Sequence, residues 1–196
     1  MKKTAINHRA IDDPDLITLL ASPVRQEIVD TLAALGGEAS VAELATELGR
    51  HADGLYYHLK LLGKSGLIVE MEGDGDERRY RLAGDVSLPL RLAYKTGARH
   101  QAALRKFAHG LLQVAEKDFG DALEAEGVVL EGAERQLWAA RNKAWLSPDE
   151  VKEANQLLER LCELMSHARS EERDQLISCT FVLAPHIAQT KRRGDA

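Results

Sequence analysis

Two short amphipathic helices, each with its own start and stop signal, are spelled out between Ser40 and Gly66, and their spacing constrains the fold more than any other feature. Ser40 and Glu43 form an S-x-x-E pattern, in which a hydroxyl and a carboxylate each satisfy a free backbone N–H at a helix N-terminus. Val41, Leu44, Ala45 and Leu48 then recur at helical spacing, and Gly49 stops the helix. In the segment RHADGLYYHLKLLGKSGL, Leu55, Leu59 and Leu62 make a second apolar stripe, which closes at Gly66. Two helices joined by three or four residues around a glycine describe a helix-turn-helix.

The flanking segments extend this unit. Asp13-Pro14 and Ser22-Pro23 each place an N-cap residue before a proline at the first helical position. Leu16, Leu19 and Leu20 stripe the first of these helices, and Val24, Ile28, Leu32 and Leu35 the second, which Gly36-Gly37 ends. Downstream, IVEMEGDGDERRYRLAGD reads as a hairpin. Val69 and Met71 alternate with charged residues on one arm, Tyr80 and Leu82 on the other, and Gly73-Asp74-Gly75-Asp76 supplies the loop. A hairpin directly after a helix-turn-helix is a wing.

Gly84-Asp85 and Pro89 mark a boundary, which divides the chain into a winged helix-turn-helix domain over 1–85 and a C-terminal domain over 86–196. A long helix is expected from about Leu90 to Leu123. Leu104, Phe107, Leu111 and Val114 on it are spaced for a helix–helix seam. That seam serves either dimerisation or packing against a helix that starts at Ser147-Pro148-Asp149-Glu150 and runs to about His167. The latter helix is expected to bury Val151, Leu157, Leu158, Leu161 and Leu164. Residues 134–146 are open between helix and strand. Ile177, Cys179, Phe181 and Leu183 alternate with polar residues before Pro185, the clearest strand pattern in the chain. The expected fold class is mainly α with small β: an N-terminal winged helix-turn-helix plus a C-terminal α/β helical domain for dimerisation or effector binding.

Composition excludes several classes. No apolar run reaches the ~18 residues of a membrane helix, and the two N-terminal lysines precede no apolar stretch, so a cytoplasmic protein is expected and no membrane partner. Cys162 and Cys179 lack C-x-x-C spacing and are expected as buried thiols. No Gly-rich phosphate loop, H-E-x-x-H or G-x-S-x-G occurs, which argues against an enzyme and against a cofactor. The net charge of −5 argues mildly against nucleic acid, and residues 1–85 alone hold 10 Lys and Arg against 15 Asp and Glu. A DNA-binding role therefore rests on where the cations sit.

Three segments, LASPVRQEIVDTL, GRHADGLYYHLKLLGKSGLI and DERRYRL, in this order and spacing, resemble the opening helix, recognition helix and returning wing strand of ArsR-type winged-helix regulators. The resemblance covers about residues 12–83. The Y-Y-H-L variant, the long C-terminal region and the Trp145–Glu150 segment are similar to the larger, non-metal-sensing relatives. The short helix SVAELATELG lacks the paired cysteines of the metal sensors, and His100 and His109 lack a close carboxylate partner, so no metal is expected. The resemblance implies a transcriptional repressor, binding double-stranded DNA as a homodimer.

A recognition helix presents its N-terminal side chains to base edges. The candidate DNA contacts are Arg50, His51, Ala52, Asp53, Tyr56, Tyr57, Lys60 and Lys64, with Arg78 and Arg79 of the wing. Asp53 also suits the positive end of a helix dipole and Lys64 the negative end. One of Tyr56 and Tyr57 is expected to pack and the other to reach DNA, and His58 to lie toward the core. The wing arginines are alternatively balanced by the acids of the hairpin, Glu70, Glu72, Asp74, Asp76 and Glu77. Leu104, Phe107, Leu111 and Val114 are the candidate dimerisation residues. Trp138, Trp145 and Phe181 are candidates for a small-molecule effector pocket, or plain core. The alternative function is a winged helix for protein–protein contact, which the acidic N-terminal half favours.

Overall fold

The computed structural model describes residues 9–71, 77–84 and 90–187. The wing loop at Gly73–Asp76, the boundary residues Asp85 and Pro89 and the KRRGDA tail lie outside the described residues. In chain order the elements are β1 (Arg9–Ile11), α1 (Pro14–Leu20), α2 (Pro23–Ala34), β2 (Glu38–Ser40), α3 (Val41–Glu47), α4 (Ala52–Lys64), β3 (Ile68–Met71), β4 (Arg79–Leu82), β5 (Leu90–Leu92), α5 (Ala98–Glu124) and α6 (Pro148–Leu164).

Local chemistry accounts for the helix ends. Asp13 caps α1 by accepting from the Asp15 N–H, and Ser40 and Glu43 complete the expected capping box of α3. α3 ends on Gly49, whose φ of 59° lies in the left-handed region that suits glycine. From there the Gly49 N–H donates to the Thr46 carbonyl and the Arg50 N–H to the Ala45 carbonyl. This is the Schellman arrangement, which satisfies the orphan carbonyls and turns the chain into α4. Gly66 repeats it after α4, with the Leu67 N–H donating to the Leu62 carbonyl and both leucines buried.

The core lies among α1 to α4 and the sheet. Ile17, Ile28, Leu32, Leu44, Leu55, Leu59, Leu62 and Ile68 are all at most 1% exposed. At about 1.5–3 kcal/mol per fully buried aliphatic side chain, this cluster is the main source of stability. The wing sheet has the order β2-β4-β3, all antiparallel. Tyr80 is buried between Arg79 and Arg81, which point to the other face, as the period of two requires. Val69 does not follow its expected role. It pairs with Arg81 and is exposed, while Ile68, one residue earlier, fills the inner position. A one-residue change in register swaps every side chain between faces.

α5 is shorter than its expected span because its first residues do something else. Leu90–Leu92 forms β5, which pairs in parallel with β1, and Gly97 (φ 120°) precedes the helix. The helix then packs along α1 and α2. Gly110 makes this possible: a Cβ there would lie 2.2 Å from the Ala21 carbonyl oxygen. Gln26 of α2 donates to the Phe107 carbonyl beside it, at 3.4 Å. Buried His100 bonds through Nε2 to the Ala93 carbonyl oxygen at 2.7 Å, fixing the start of α5 against β5.

The C-terminal third departs from the sequence reading. The Ile177–Pro185 segment is not a strand. It runs without ladder partners, and Ile177, Phe181 and Leu183 are 42%, 43% and 57% exposed. Alternation prepares a segment for a sheet, but among the described residues no neighbouring strand offers the backbone groups it would pair with. Residues 134–146 have neither helix nor strand. α6 has its capping box at Ser147 and Glu150 but no buried residue, so Val151, Leu157, Leu158, Leu161 and Leu164 do not form the expected inner face. Of the cysteines, Cys162 is half-buried and Cys179 is exposed, not buried as expected.

Candidate nucleic-acid interface

α4 buries Leu55, Leu59 and Leu62 and turns Asp53, Gly54, Tyr56, Tyr57, Lys60, Gly63 and Lys64 to solvent. The exposed set follows the i, i+3, i+4, i+7 rule of one helix face. Both tyrosines are outside, Tyr56 at 40% and Tyr57 at 65% exposure, so the expectation that one would pack is corrected. Neither occupies the leucine stripe that anchors the helix. Large apolar rings beside two lysines give a surface able to stack on or pack against a ligand while attracting anions. His51 is exposed and Ala52 half-buried at the start of the helix. His58 is half-buried, as expected. Desolvation, helped by Arg25 and Arg50, lowers its pKa and favours the neutral ring.

The five basic candidates around this face divide into two kinds. Lys60 and Lys64 are exposed along α4. Arg78 of the wing is 60% exposed, with its guanidinium 5.8 Å from the Tyr56 ring centroid and 3.6 Å from Glu70. It therefore bridges wing and α4 through a cation–π contact. Arg50 and Arg79 are already engaged. Arg50 donates to the buried carboxylate of Glu27 at 2.7 Å. Arg79 pairs with Glu38 at 3.0 Å and Glu43 at 3.4 Å. Its partners come from β2 and α3 rather than from the hairpin acids. The geometry of Arg50 and Arg79 is that of fold-fixing residues, whereas Lys60 and Lys64 stand exposed along α4 and Arg78, although paired with the hairpin acid Glu70, keeps 60% of its side chain exposed.

Glu27 is the residue that sequence reasoning missed. It is 8% exposed in the middle of α2, and its signal was an acid three residues after Val24 and one before Ile28, on the edge of an apolar stripe. A buried carboxylate needs charged or hydrogen-bonding partners, and Arg50 and Lys117 supply them.

The other candidates are not brought together in this way. Leu104 and Phe107 are partly buried against the core, and Leu111 and Val114 are half-buried on the same helix. Trp138 and Trp145 are 68% and 102% exposed, and the Trp138 ring lies under the Arg135 guanidinium at 3.4 Å. A groove of about 370 Å³ between α3 and the wing is lined instead by Ser40, Glu43, Glu47, Glu77, Arg79 and Arg169 among others. Among the described residues, no helix is long and apolar enough to cross a membrane.

A family model described as a helix-turn-helix domain matches residues 20–71. The chain carries a helix-turn-helix domain. The match spans α2 to β3, about a quarter of the 196 residues, and includes both helices of the motif and the first strand of the wing. No curated protein matches the chain. The helix-turn-helix domain points to a DNA-binding regulator.

Proposed function

We propose that the protein is a sequence-specific transcriptional regulator of the ArsR-like, non-metal-sensing type, a homodimeric repressor that lays α4 in the major groove of its operator. The observation that carries this reading is the exposed face of α4, where Tyr56, Tyr57, Lys60 and Lys64 stand free beside Arg78 of the wing. Lys60 and Lys64 bind phosphate, Arg78 reaches the backbone or minor groove beside the wing, and the tyrosines meet base edges or sugars. Two half-sites one helical turn apart require two copies. A surface for the second copy is offered by α6, where Val151, Ala154, Leu158, Leu161 and Met165 recur at alternating spacings of three and four, as in a helix–helix seam, and none is buried. A role for Trp138, Trp145 and Phe181 in effector binding fits only if that second copy covers them.

The test is binding to DNA from the protein's own upstream region across a salt series. Lys60→Ala, Lys64→Ala and Arg78→Ala should each lower the log–log salt slope by about 1. Arg79→Ala should leave it unchanged. Absence of salt-sensitive binding to that region and to a random fragment pool would refute the reading. The acidic balance of residues 1–85 would then favour the alternative of a winged helix for protein contact.

A further inference from the structure

We propose that Glu27 is a positioning residue that ties the DNA-reading end of α4 to α5, so that a displacement of α5 is passed to the first turn of the reading helix. Its two carboxylate oxygens are divided between two elements. Oε2 accepts from Arg50, two residues before α4, at 2.7 Å, and Oε1 lies 3.5 Å from the Lys117 ammonium on α5. Glu27 is 7% exposed at its side chain, whereas Arg50 and Lys117 are 33% and 45% exposed. The anion is thus the buried hub, and each cation is an outlying arm.

α4, like α2 and α5, starts without a side-chain cap. α3 and α6 begin with complete capping boxes. The N-cap of α4, His51, makes no side-chain capping bond. Its first turn leaves free N–H groups without a local side-chain acceptor. The position of the chain entering it is held by the Schellman bond of the Arg50 N–H to Ala45 and by the Arg50 guanidinium on Glu27. Arg50 Nε is itself buried without a partner, so the side chain is confined and not free to swing outward.

Lys117 completes the link because a buried carboxylate holding one cation is less stable than one holding two. Asp121, one turn on, holds Lys117 at 3.0 Å and keeps it over Glu27. Moving α5 away withdraws Lys117 and changes the field at Glu27, and the response falls on Arg50. The exposed segment after α6 reaches α5 through Ser178, whose hydroxyl donates to the Asp118 carboxylate, next to Lys117, at 2.7 Å. A partner bound there therefore has a physical route to the reading helix. The significance of the tether for DNA rests on the function proposed above, while the tether itself does not.

Amide hydrogen exchange of the full-length protein without DNA tests the tether separately. In Lys117→Met, exchange at residues 54–57, the first hydrogen-bonded amides of α4, should accelerate several-fold, while the second half of α4 and α3 keep their protection. Glu27→Gln should accelerate it further, and the double variant should match Glu27→Gln alone, because Lys117 acts through Glu27. Lys117→Arg should restore protection. Unchanged exchange at 54–57 in Lys117→Met overturns the proposal, as do additive effects or a uniform loss of protection over α2, α4 and α5. If Glu27→Gln does not fold, the Lys117 pair of variants decides alone. Salt titration with DNA on the same proteins reports on the function, so a protein that fails to bind DNA leaves the exchange result to stand or fall by itself.

Discussion

Gly110→Ala should destabilise the protein although alanine is the better helix former. The added Cβ would lie 2.2 Å from the Ala21 carbonyl oxygen, 3.0 Å from its carbon and 3.3 Å from Gln26 Nε2. Ordinary contact begins near 3.4 Å, so α5 and the α1–α2 corner must separate by about 1 Å. The obstacle is backbone, which cannot rotate aside as a side-chain tip would. Separation loosens Ala103, Leu104 and Phe107, which pack against the core, and lengthens the Gln26–Phe107 bond, already 3.4 Å. Overpacking of this kind costs about 1–3 kcal/mol, against a helix-propensity gain of up to ~1 kcal/mol. The net expectation is a loss of about 1–2 kcal/mol, read from urea unfolding followed by far-ultraviolet circular dichroism as a lower midpoint with an unchanged slope. Gly120→Ala is the internal control, since nothing lies within 4 Å of a Cβ there. That variant should be neutral or stabilised by up to ~1 kcal/mol. If Gly110→Ala unfolds at the same urea concentration as Gly120→Ala, the close approach of α5 to Ala21 is wrong.

Three further outcomes follow from the same geometry. Arg79→Ala should lower the midpoint of thermal melting by removing the cation that bridges Glu38 and Glu43; an unchanged midpoint would mean that these half-exposed pairs do not hold the wing. Asp30 is pushed from its ordinary value of 3.8 up to about 6, first by desolvation and then by the Asp118 and Glu27 carboxylates. Its proton is held more tightly in the folded chain, so this contribution to stability is full below pH 4 and is lost as pH rises through 6. Much of the residue still meets solvent, which screens the effect to about 1 kcal/mol. Asp30→Asn should flatten the dependence and stabilise the protein at pH 7.5, and equal melting curves for the two proteins across pH 4–8 would exclude the shift. Leu158→Asp/Leu161→Asp should convert the proposed dimer to a monomer in sedimentation equilibrium, and an unaltered dimer would remove α6 from the interface.

The parts of the fold legible in the sequence were those fixed by local chemistry. Caps at Asp13, Ser40 and Ser147, glycine stops at Gly49 and Gly66, and the leucine stripe of α4 each depend on neighbours within a few residues. Tyr80 facing in between two arginines follows from strand alternation alone. What was not legible depends on distant partners. β1 and β5 are three residues each, too short to signal, and exist because the two segments meet. β2 is equally short and owes its pairing to β4. The Ile177–Pro185 segment shows the converse, since its pattern is right for a strand and no partner strand meets it. In the candidate site, the exposed lysines were legible from helical periodicity. The engagement of Arg50 and Arg79 was not, because Glu27 and Glu38 lie 23 and 41 residues away.

Long-range pairing also resolves the charge problem posed by the acidic N-terminal half. Four of its carboxylates meet cations supplied by later parts of the chain: Asp12 with Lys95, Asp15 with Arg99, Glu27 with Lys117 and Glu47 with Arg169. Most of these are exposed pairs, worth little as stability. Their effect is on the field, because an ion pair falls off faster with distance than either charge alone, and salt screens what remains beyond about 8–10 Å. A count over residues 1–85 assigns these acids to the DNA-reading domain and their partners elsewhere, although in space they neutralise one another. The face that would meet phosphate is governed by what stands on it: Lys60, Lys64 and Arg78, with Glu70 close to Arg78 and Asp53 at the first turn. A negative total is therefore compatible with a cationic reading face. The compatibility depends on α5 staying docked, since Lys95, Arg99 and Lys117 are carried by that helix and the residues leading into it. Packing of α5 thus stabilises the domain through Gly110 and also balances the charge of the domain it covers.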